Sequence, residues 1–129
     1  MIKENLVLYL EQSIKYNWTK PAFSDYKGEV LTYGEVAEKV VNFHILFQQL
    51  GIKKGDKISL IGKNSTNWAI AYLATISYGA VIVPILADFK PLDVQNIVNH
   101  SDSIVLFVSD IYSNHRIFLK WLILGSYSL

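Results

Sequence analysis

Apolar residues recur every three or four positions in four stretches of the chain, and this spacing predicts four helices. The clearest stretch follows Thr32, where one apolar stripe consists of Val36, Val40, Phe43, Phe47 and Leu50. Such a stripe occupies one face of an α-helix and packs against a core. Weaker periodicity predicts further helices over about Glu4–Tyr16, Asn67–Tyr78 and Pro91–Asn99.

The first and last of these helices have recognisable buried faces. The first places three apolar residues on one side, namely Leu6, Leu10 and Ile14. The last begins at Pro91, a favourable first-turn residue, and carries Asp93 near its positive end. Its predicted buried edge consists of Val94, Ile97 and Val98.

Short β-branched runs between the helices predict strands over Lys57–Gly62, Ala80–Ile85 and Ser103–Val108. From Thr32 onward the order is therefore helix, strand, helix, strand, helix, strand. Strands joined by helical crossovers are normally parallel, with right-handed connections. We therefore predict an α/β fold in three layers, with parallel strands and crossover helices.

Turn and capping residues mark where these elements begin and end. Two short strands, Ala22–Asp25 and Glu29–Thr32, flank a glycine turn and predict a small N-terminal β-hairpin after Pro21. Thr32 and Glu35 have the spacing of a capping box, in which each side chain bonds a free backbone amide. We also expect two further features, an ion pair between Glu35 and Lys39 and a left-handed helix cap at Gly51.

The uncharged run Ala69–Ala87 is long enough to cross a membrane as a helix. Gly79 divides it, however, and the β-branched residues that follow favour a strand, whose regular pairing we expect Pro84 to end. The first half has helical spacing, with Trp68, Tyr72 and Ile76 one turn apart. We therefore predict a buried helix, a turn and a buried strand, with a membrane-spanning helix as the less favoured alternative.

Composition narrows the class of protein. The chain has 129 residues, 51% of them hydrophobic, a formal net charge of +1 and no cysteine. This excludes a disordered chain, a disulfide framework and a cysteine nucleophile, and it argues against a nucleic-acid partner. The N-terminus lacks the uninterrupted apolar core of a signal peptide. We expect a cytoplasmic protein and leave peripheral association with a membrane open.

Motifs that carry chemistry are mostly absent from the sequence. It contains no GxxxxGK[ST] phosphate loop, no GxGxxG dinucleotide turn and no GxSxG nucleophile elbow. The turn Gly62–Ser65 could hold an anion at a helix start, but a capped turn is the more typical role. His100, Ser101 and Asp102 are residue types of a hydrolase triad, yet sequence neighbours do not normally converge on one substrate.

Two other patterns also favour structural roles. The three histidines, His44, His100 and His115, are scattered without acidic partners at ligand spacing, so we expect no metal site. The stretch 15–23 mixes lysines with aromatic residues, as a nucleic-acid platform does, but we expect Trp18 and Phe23 to lie in the core. We predict no catalytic, cofactor-binding or metal-binding residue in this chain.

An ordered set of segments nevertheless resembles the start of an AMP-forming acyl-CoA synthetase of the adenylate-forming superfamily. These segments are Leu31–Val36, Leu50–Ile58, Asn64–Trp68, Tyr72–Ala74, Gly79–Val81, Val83–Ile85 and Ile97–Asp110. The resemblance covers about Ile2–Asp110 and is nearest to long-chain fatty-acid–CoA ligases. It implies that the predicted fold is a partial copy of the N-terminal domain of these enzymes.

The resemblance also implies an activity for full-length relatives. Such enzymes activate a carboxylate with ATP and then form a thioester with CoA, and Mg²⁺ neutralises phosphate charge. The family's phosphate loop and C-terminal domain would follow the matching segment, so no functional residue carries over. We expect a fragment that binds no cofactor and is inactive alone. The alternative is a non-enzymatic interaction module that binds a partner or self-associates through exposed apolar surfaces.

We divide the chain at residue 110. Residues 1–110 form the N-terminal part of the AMP-binding domain, and residues 111–129 form a divergent apolar tail. The tail lacks clear periodicity and caps, so we attribute it to truncation or a frame shift of a longer reading frame.

Overall fold

The computed structural model describes residues 5–108 and 122–123. Its helices are α1 (Leu6–Tyr16), α2 (Tyr33–Gln49), α3 (Thr66–Tyr78) and α4 (Pro91–Ser101). Its strands are β1 (Pro21–Ser24), β2 (Val30–Thr32), β3 (Lys57–Ile61), β4 (Val81–Ile85), β5 (Val105–Val108) and β6 (Leu122–Ile123). All helices and strands predicted from the sequence are present, with ends that shift by one or two residues.

The main sheet has the strand order β4-β3-β5-β6. Strands β3, β4 and β5 are parallel, and the central strand β3 pairs Ile58 with Ile82 on one side and with Val105 on the other. Strand β6 pairs antiparallel with β5. The predicted parallel sheet is therefore confirmed. The remainder of the predicted tail, residues 111–121 and 124–129, lies outside the described residues.

Two apolar clusters show that helices cover both faces of this sheet. The chain steps from β3 to β4 and then reverses past β3 to reach β5. With right-handed connections, that reversal places α3 and α4 on opposite faces. In agreement, Phe107 of β5 lies with residues of α2 and α3 in one apolar cluster, which we call the main cluster. Its neighbour Leu106 lies in a second cluster with Val98 of α4. The three-layer prediction is confirmed.

The long uncharged run folds as α3, a turn at Gly79 and β4, as predicted. Gly79 has φ +90°, a left-handed conformation that glycine adopts at little cost. The expected end of strand pairing at Pro84 is wrong, because Pro84 pairs with Leu60 and Ile85 pairs with Ile61. β4 is an edge strand, where proline is tolerated. Within the described residues, no helix has both the length and the apolar character needed to cross a membrane.

The packed face of helix α1 is the predicted one at Leu10 and Ile14, whereas the prediction is wrong for Leu6. Val7, Leu10 and Ile14 are half-buried, whereas Leu6 is 68% exposed. The helix begins one residue after Asn5, whose side chain accepts a hydrogen bond from the backbone N–H of Val7 at 2.9 Å. Leu6 is the first residue of the helix, and its side chain lies outside the half-buried face that Val7, Leu10 and Ile14 form.

The N-terminal hairpin and the start of α2 follow the local signals. β1 and β2 pair antiparallel, with Pro21 as the first residue of β1. The N–H of Glu35 donates to Thr32 Oγ1 at 3.2 Å, and the N–H of Thr32 donates to Glu35 Oε1 at 3.1 Å. The capping box is thus confirmed. The expected Glu35–Lys39 ion pair is wrong, because the Glu35 carboxylate turns back to the helix start.

Helix α2 packs three buried side chains into the main cluster and ends as predicted. Val36, Val40 and Phe47 are buried, and Phe47 packs edge-on against Tyr78 with ring centroids 5.2 Å apart. Gly51 has φ +74°, and its N–H donates to the carbonyl of Gln48 at 3.1 Å. This left-handed cap closes the helix before the chain enters β3.

Candidate functional site

The carboxyl ends of β3 and β4 form the place where an open α/β sheet most often binds a ligand. Their outgoing connections run to opposite faces of the sheet, which creates a crevice between the two strand ends. The connection after β3 is the turn Gly62–Ser65, and the connection after β4 covers residues 86–90. A shallow hollow of about 320 Å³ lies beside the connection after β4. Its lining consists of Phe89, Asp93, Asn96 and Ile97.

The turn after β3 is the candidate anion site, and the protein's own side chains bond its amides. Ser65 Oγ accepts a hydrogen bond from the N–H of Trp68 at 3.2 Å. The N–H of Thr66 donates to Oδ1 of Asp25 at 2.8 Å, and Asp25 belongs to the hairpin turn. A carboxylate therefore lies where a phosphate would bind. A phosphate of ATP does not fit this helix start, because it would meet the negative charge of Asp25.

The triad-like residues His100, Ser101 and Asp102 do not form a catalytic arrangement. Asp102 has φ +58° and ends α4, and His100 is exposed. The hydroxyl of Ser101 donates to the carbonyl of Val98 at 3.0 Å. The Ser101 hydroxyl therefore faces the last turn of its own helix.

Ser101 instead ends a buried chain of hydroxyl groups. Ser59 Oγ lies 2.6 Å from Ser103 Oγ, which lies 2.7 Å from Ser101 Oγ. A hydroxyl has one hydrogen to donate, and that of Ser101 is used on Val98. Ser103 therefore donates to Ser101, and Ser59 donates to Ser103. The chain ties β3 to the end of α4 and satisfies polar groups that would be costly to bury unpaired. Nothing in the sequence spacing indicates it.

His44 is a packing residue that joins α2 to α3. Its Nε2 lies 3.0 Å from the carbonyl oxygen of Ala74 and 2.9 Å from Ser77 Oγ. Ser77 Oγ donates to the carbonyl of Leu73 at 2.6 Å, so Nε2 of His44 is the donor in this cluster. His115 lies outside the described residues. Across the described part of the chain, no three metal-ligating side chains are grouped so that they could hold an ion.

The residues of the mixed basic and aromatic stretch 15–23 lie in three different environments. Lys15 forms an ion pair with Glu11 at 2.7 Å, and Phe23 packs against the main cluster as predicted. The prediction that Trp18 lies in the core is wrong, because its side chain is 49% exposed. Its indole instead covers Gly34 in the first turn of α2, and the two backbones are joined by a hydrogen bond of 2.8 Å.

The family is decided by comparison with known proteins. The family model for the AMP-binding enzyme matches residues 10–121. The chain belongs to the AMP-binding enzyme family. The resemblance to the N-terminal segment of an AMP-forming acyl-CoA synthetase is therefore confirmed. The boundary at residue 110 and the origin of residues 111–129 stay predictions.

Relatives of this AMP-binding chain include CoA ligases. It is 30% identical over 109 residues to a long-chain-fatty-acid–CoA ligase of Escherichia coli O6:H1, a match that covers 83% of this chain and 19% of the ligase. It is 29% identical over 114 residues to 4-hydroxybutyrate–CoA ligase 2 of Metallosphaera sedula, with coverages of 88% and 21%. The chain thus spans about a fifth of the length of these ligases.

Solved structures show the same fold. The anthranilate CoA ligase AuaEII in complex with anthranoyl-AMP superimposes with a TM-score of 0.77 at 22% identity, covering 83% of this chain and 20% of that one. The N-terminal subdomain of Klebsiella oxytoca NpsA gives a TM-score of 0.74 at 20% identity, with coverages of 84% and 28%. The capped helices and the three parallel strands therefore have the fold of the matching parts of these two proteins.

Proposed function

We propose that this chain is the N-terminal scaffold of a long-chain fatty-acid–CoA ligase and catalyses no reaction on its own. The observation that carries the proposal is the match to the Escherichia coli ligase, which is 30% identical over 109 residues but covers only 19% of that enzyme. The family's phosphate loop has no counterpart in the 129 residues. The longer protein would supply it.

The complete enzyme would activate a fatty acid in two steps. The carboxylate would attack the α-phosphorus of ATP to form an acyl-adenylate and release pyrophosphate, and the thiol of CoA would then displace AMP to form the thioester. Mg²⁺ would neutralise phosphate charge during the first step. The described residues support a scaffold role in this scheme, because Asp25 and Ser65 bond the backbone amides at the start of α3.

Long-chain fatty acids are the substrate class we propose. The support is the name of the Escherichia coli relative, whereas the Metallosphaera sedula relative is named for 4-hydroxybutyrate at nearly the same identity. A cytoplasmic location belongs to the same proposal.

An activity assay on the purified chain tests the proposal. The chain would be incubated with ATP, Mg²⁺, a long-chain fatty acid and CoA, and both pyrophosphate release and acyl-CoA formation would be followed. The Escherichia coli ligase would serve as the positive control. We expect no product above the level of a protein-free reaction. Turnover that scales with the concentration of the chain would contradict the proposal.

The alternative of an interaction module is separated by a second measurement. Large apolar side chains such as Leu86 and Leu92 are each 67% exposed, which favours association through apolar surfaces. Size-exclusion chromatography with light scattering would give the molar mass in solution. A defined dimer would favour the module, whereas heterogeneous aggregates would favour the fragment.

A further inference from the structure

The turn between β3 and α3 contains an asparagine whose side chain the fold does not hold in place. Asn64 is exposed, and it is followed directly by Ser65, the N-cap residue of α3. The side-chain amide of Asn64 forms no hydrogen bond with any residue that the structure describes. The same holds for the backbone N–H of Ser65. Both groups that take part in deamidation, the amide carbon and the next backbone nitrogen, are therefore available at this position.

The other asparagines of residues 5–108 are held by the fold. Oδ1 of Asn5 accepts a hydrogen bond from the N–H of Val7 at 2.9 Å, and Nδ2 of Asn17 donates to the carbonyl of Ser13 at 2.9 Å. A leucine and a tryptophan follow these two residues, and such bulky side chains crowd the next backbone nitrogen. The remaining asparagines lie inside helices, where the next N–H is hydrogen-bonded: Asn42, Asn67, Asn96 and Asn99.

The reaction at such a position needs only water. The backbone nitrogen of Ser65 loses its proton and forms a bond to Cγ of Asn64, while the bond from Cγ to the side-chain nitrogen breaks and ammonia leaves. The product is a cyclic succinimide. Water then adds to either of its two carbonyl carbons and opens the ring. One opening gives aspartate, and the other gives isoaspartate, in which the backbone passes through the side-chain carbons.

We propose that Asn64 is a site of spontaneous deamidation in the folded protein. The modified residue lies on the connection after β3, so the new carboxylate adds negative charge beside the crevice at the carboxyl ends of β3 and β4. An aspartate at this position lies near the positive end of α3, where a negative charge is stabilising. An isoaspartate adds an atom to the backbone directly before Ser65, so we expect it to displace the Ser65 hydroxyl from the N–H of Trp68.

Peptide mapping of the aged protein tests the proposal. The purified chain would be kept in buffer at neutral pH and physiological temperature, with a parallel sample unfolded in urea, and both would be sampled over several weeks. Chymotrypsin cleaves after large apolar side chains, so cuts after Leu60 and Trp68 release a peptide that contains both Asn64 and Asn67. Mass spectrometry would locate the modified residue, and an isoaspartate-specific methyltransferase would detect the isomer. In the folded chain we expect modification at Asn64 to be several times faster than at Asn67.

Three variants separate the chemistry from its effect on α3. Ser65→Thr keeps a capping hydroxyl but adds a branch beside the attacking nitrogen, so modification at Asn64 should slow several-fold. Asn64→Gln should remove it, because a glutamine closes the corresponding ring far more slowly. Asn64→Asp reproduces the aspartate product, and its melting temperature should equal or exceed that of the fresh chain. The isoaspartate fraction of the aged protein, separated by ion-exchange chromatography, should melt at a lower temperature because the helix cap is displaced.

Each outcome has a defined meaning. An Asn64 that stays intact in the folded chain while the chain in urea is modified there would overturn the proposal, since the fold would then protect the residue. Equal rates at Asn64 and Asn67 in the folded chain would also overturn it. Aspartate without isoaspartate would contradict attack by the Ser65 nitrogen. Circular dichroism would show that Ser65→Thr is folded, and if it is not, the comparison within the natural chain still decides. None of these readouts depends on acyl-CoA formation, so the result is independent of the proposed function.

Discussion

Gly34 and Trp18 provide the sharpest test of how the N-terminal region packs on α2. Alanine normally stabilises a helix relative to glycine by about 1 kcal/mol. At Gly34, however, an added Cβ would lie 2.6 Å from Cε2 and 2.7 Å from Nε1 of Trp18. Carbon atoms in favourable contact are about 3.5–4.0 Å apart. Gly34→Ala should therefore destabilise the protein despite its better helix propensity.

The cost can be bounded from the backbone contacts around Trp18. The backbone of Trp18 is held in place, because its carbonyl accepts a hydrogen bond from the N–H of Gly34 at 2.8 Å and the carbonyl of Lys20 accepts one from Tyr33 at 3.0 Å. The indole can therefore relieve the clash only by rotating out of its contact with Gly34. Overpacking of this kind costs about 1–3 kcal/mol. After the gain of about 1 kcal/mol in helix propensity, we expect Gly34→Ala to lower the free energy of unfolding by up to about 2 kcal/mol.

A double-mutant cycle isolates the clash. Gly34→Ala would be measured by urea unfolding, followed by circular dichroism, in the natural chain and in a Trp18→Leu background. Removal of the indole ring should turn the substitution neutral or stabilising by up to about 1 kcal/mol. An equal loss of stability in both backgrounds would refute the reasoning, as would stabilisation by Gly34→Ala in the natural chain.

Three further substitutions test contacts between distant elements. Asp25→Ala should cost about 1–2 kcal/mol by urea unfolding, because the N–H of Thr66 loses a charged acceptor; Asp25→Asn should cost less, and an equal cost would contradict this. His44→Ala should cost about 1–3 kcal/mol through the lost bond to Ala74 and lost packing, and an unchanged urea midpoint would count against it. Gly79→Ala should lower the melting temperature because φ is +90°, at a cost of about 1–2 kcal/mol; an unchanged melting temperature would argue against strain.

Local signals account for most of the fold that could be predicted. The Thr32–Glu35 capping box and the Gly51 cap depend on residues at most a few positions apart, so their spacing alone predicts them. The element order then restricts the topology, because right-handed crossovers leave few arrangements of three parallel strands. The contacts of the candidate site could not be predicted in this way, because the carboxylate at the start of α3 comes from Asp25, 41 residues before Thr66.

Three of the incorrect predictions share one cause. Each of these predictions rests on one segment of the sequence, whereas the environment of the side chain depends on another group. The residues concerned are Leu6, Trp18 and the pair Glu35 and Lys39. Trp18 is half-exposed because it lies over Gly34, and Glu35 is unavailable to Lys39 because its carboxylate bonds the N–H of Thr32. Periodicity indicates that a helix forms, but not which neighbour each side meets.

The sequence by itself determined the order of helices and strands, their caps, and the resemblance to the AMP-forming acyl-CoA synthetases that the family match then confirmed. Only the tertiary structure decided which side chains from distant segments contact one another. It showed the hydroxyl chain that joins Ser59 to Ser103, 44 residues apart, and the contact of the Trp18 indole with Gly34. The physical reason is the distance along the chain over which each kind of contact acts. Caps and turns are set by bonds between near neighbours, whereas burial depends on segments that only the folded chain brings together.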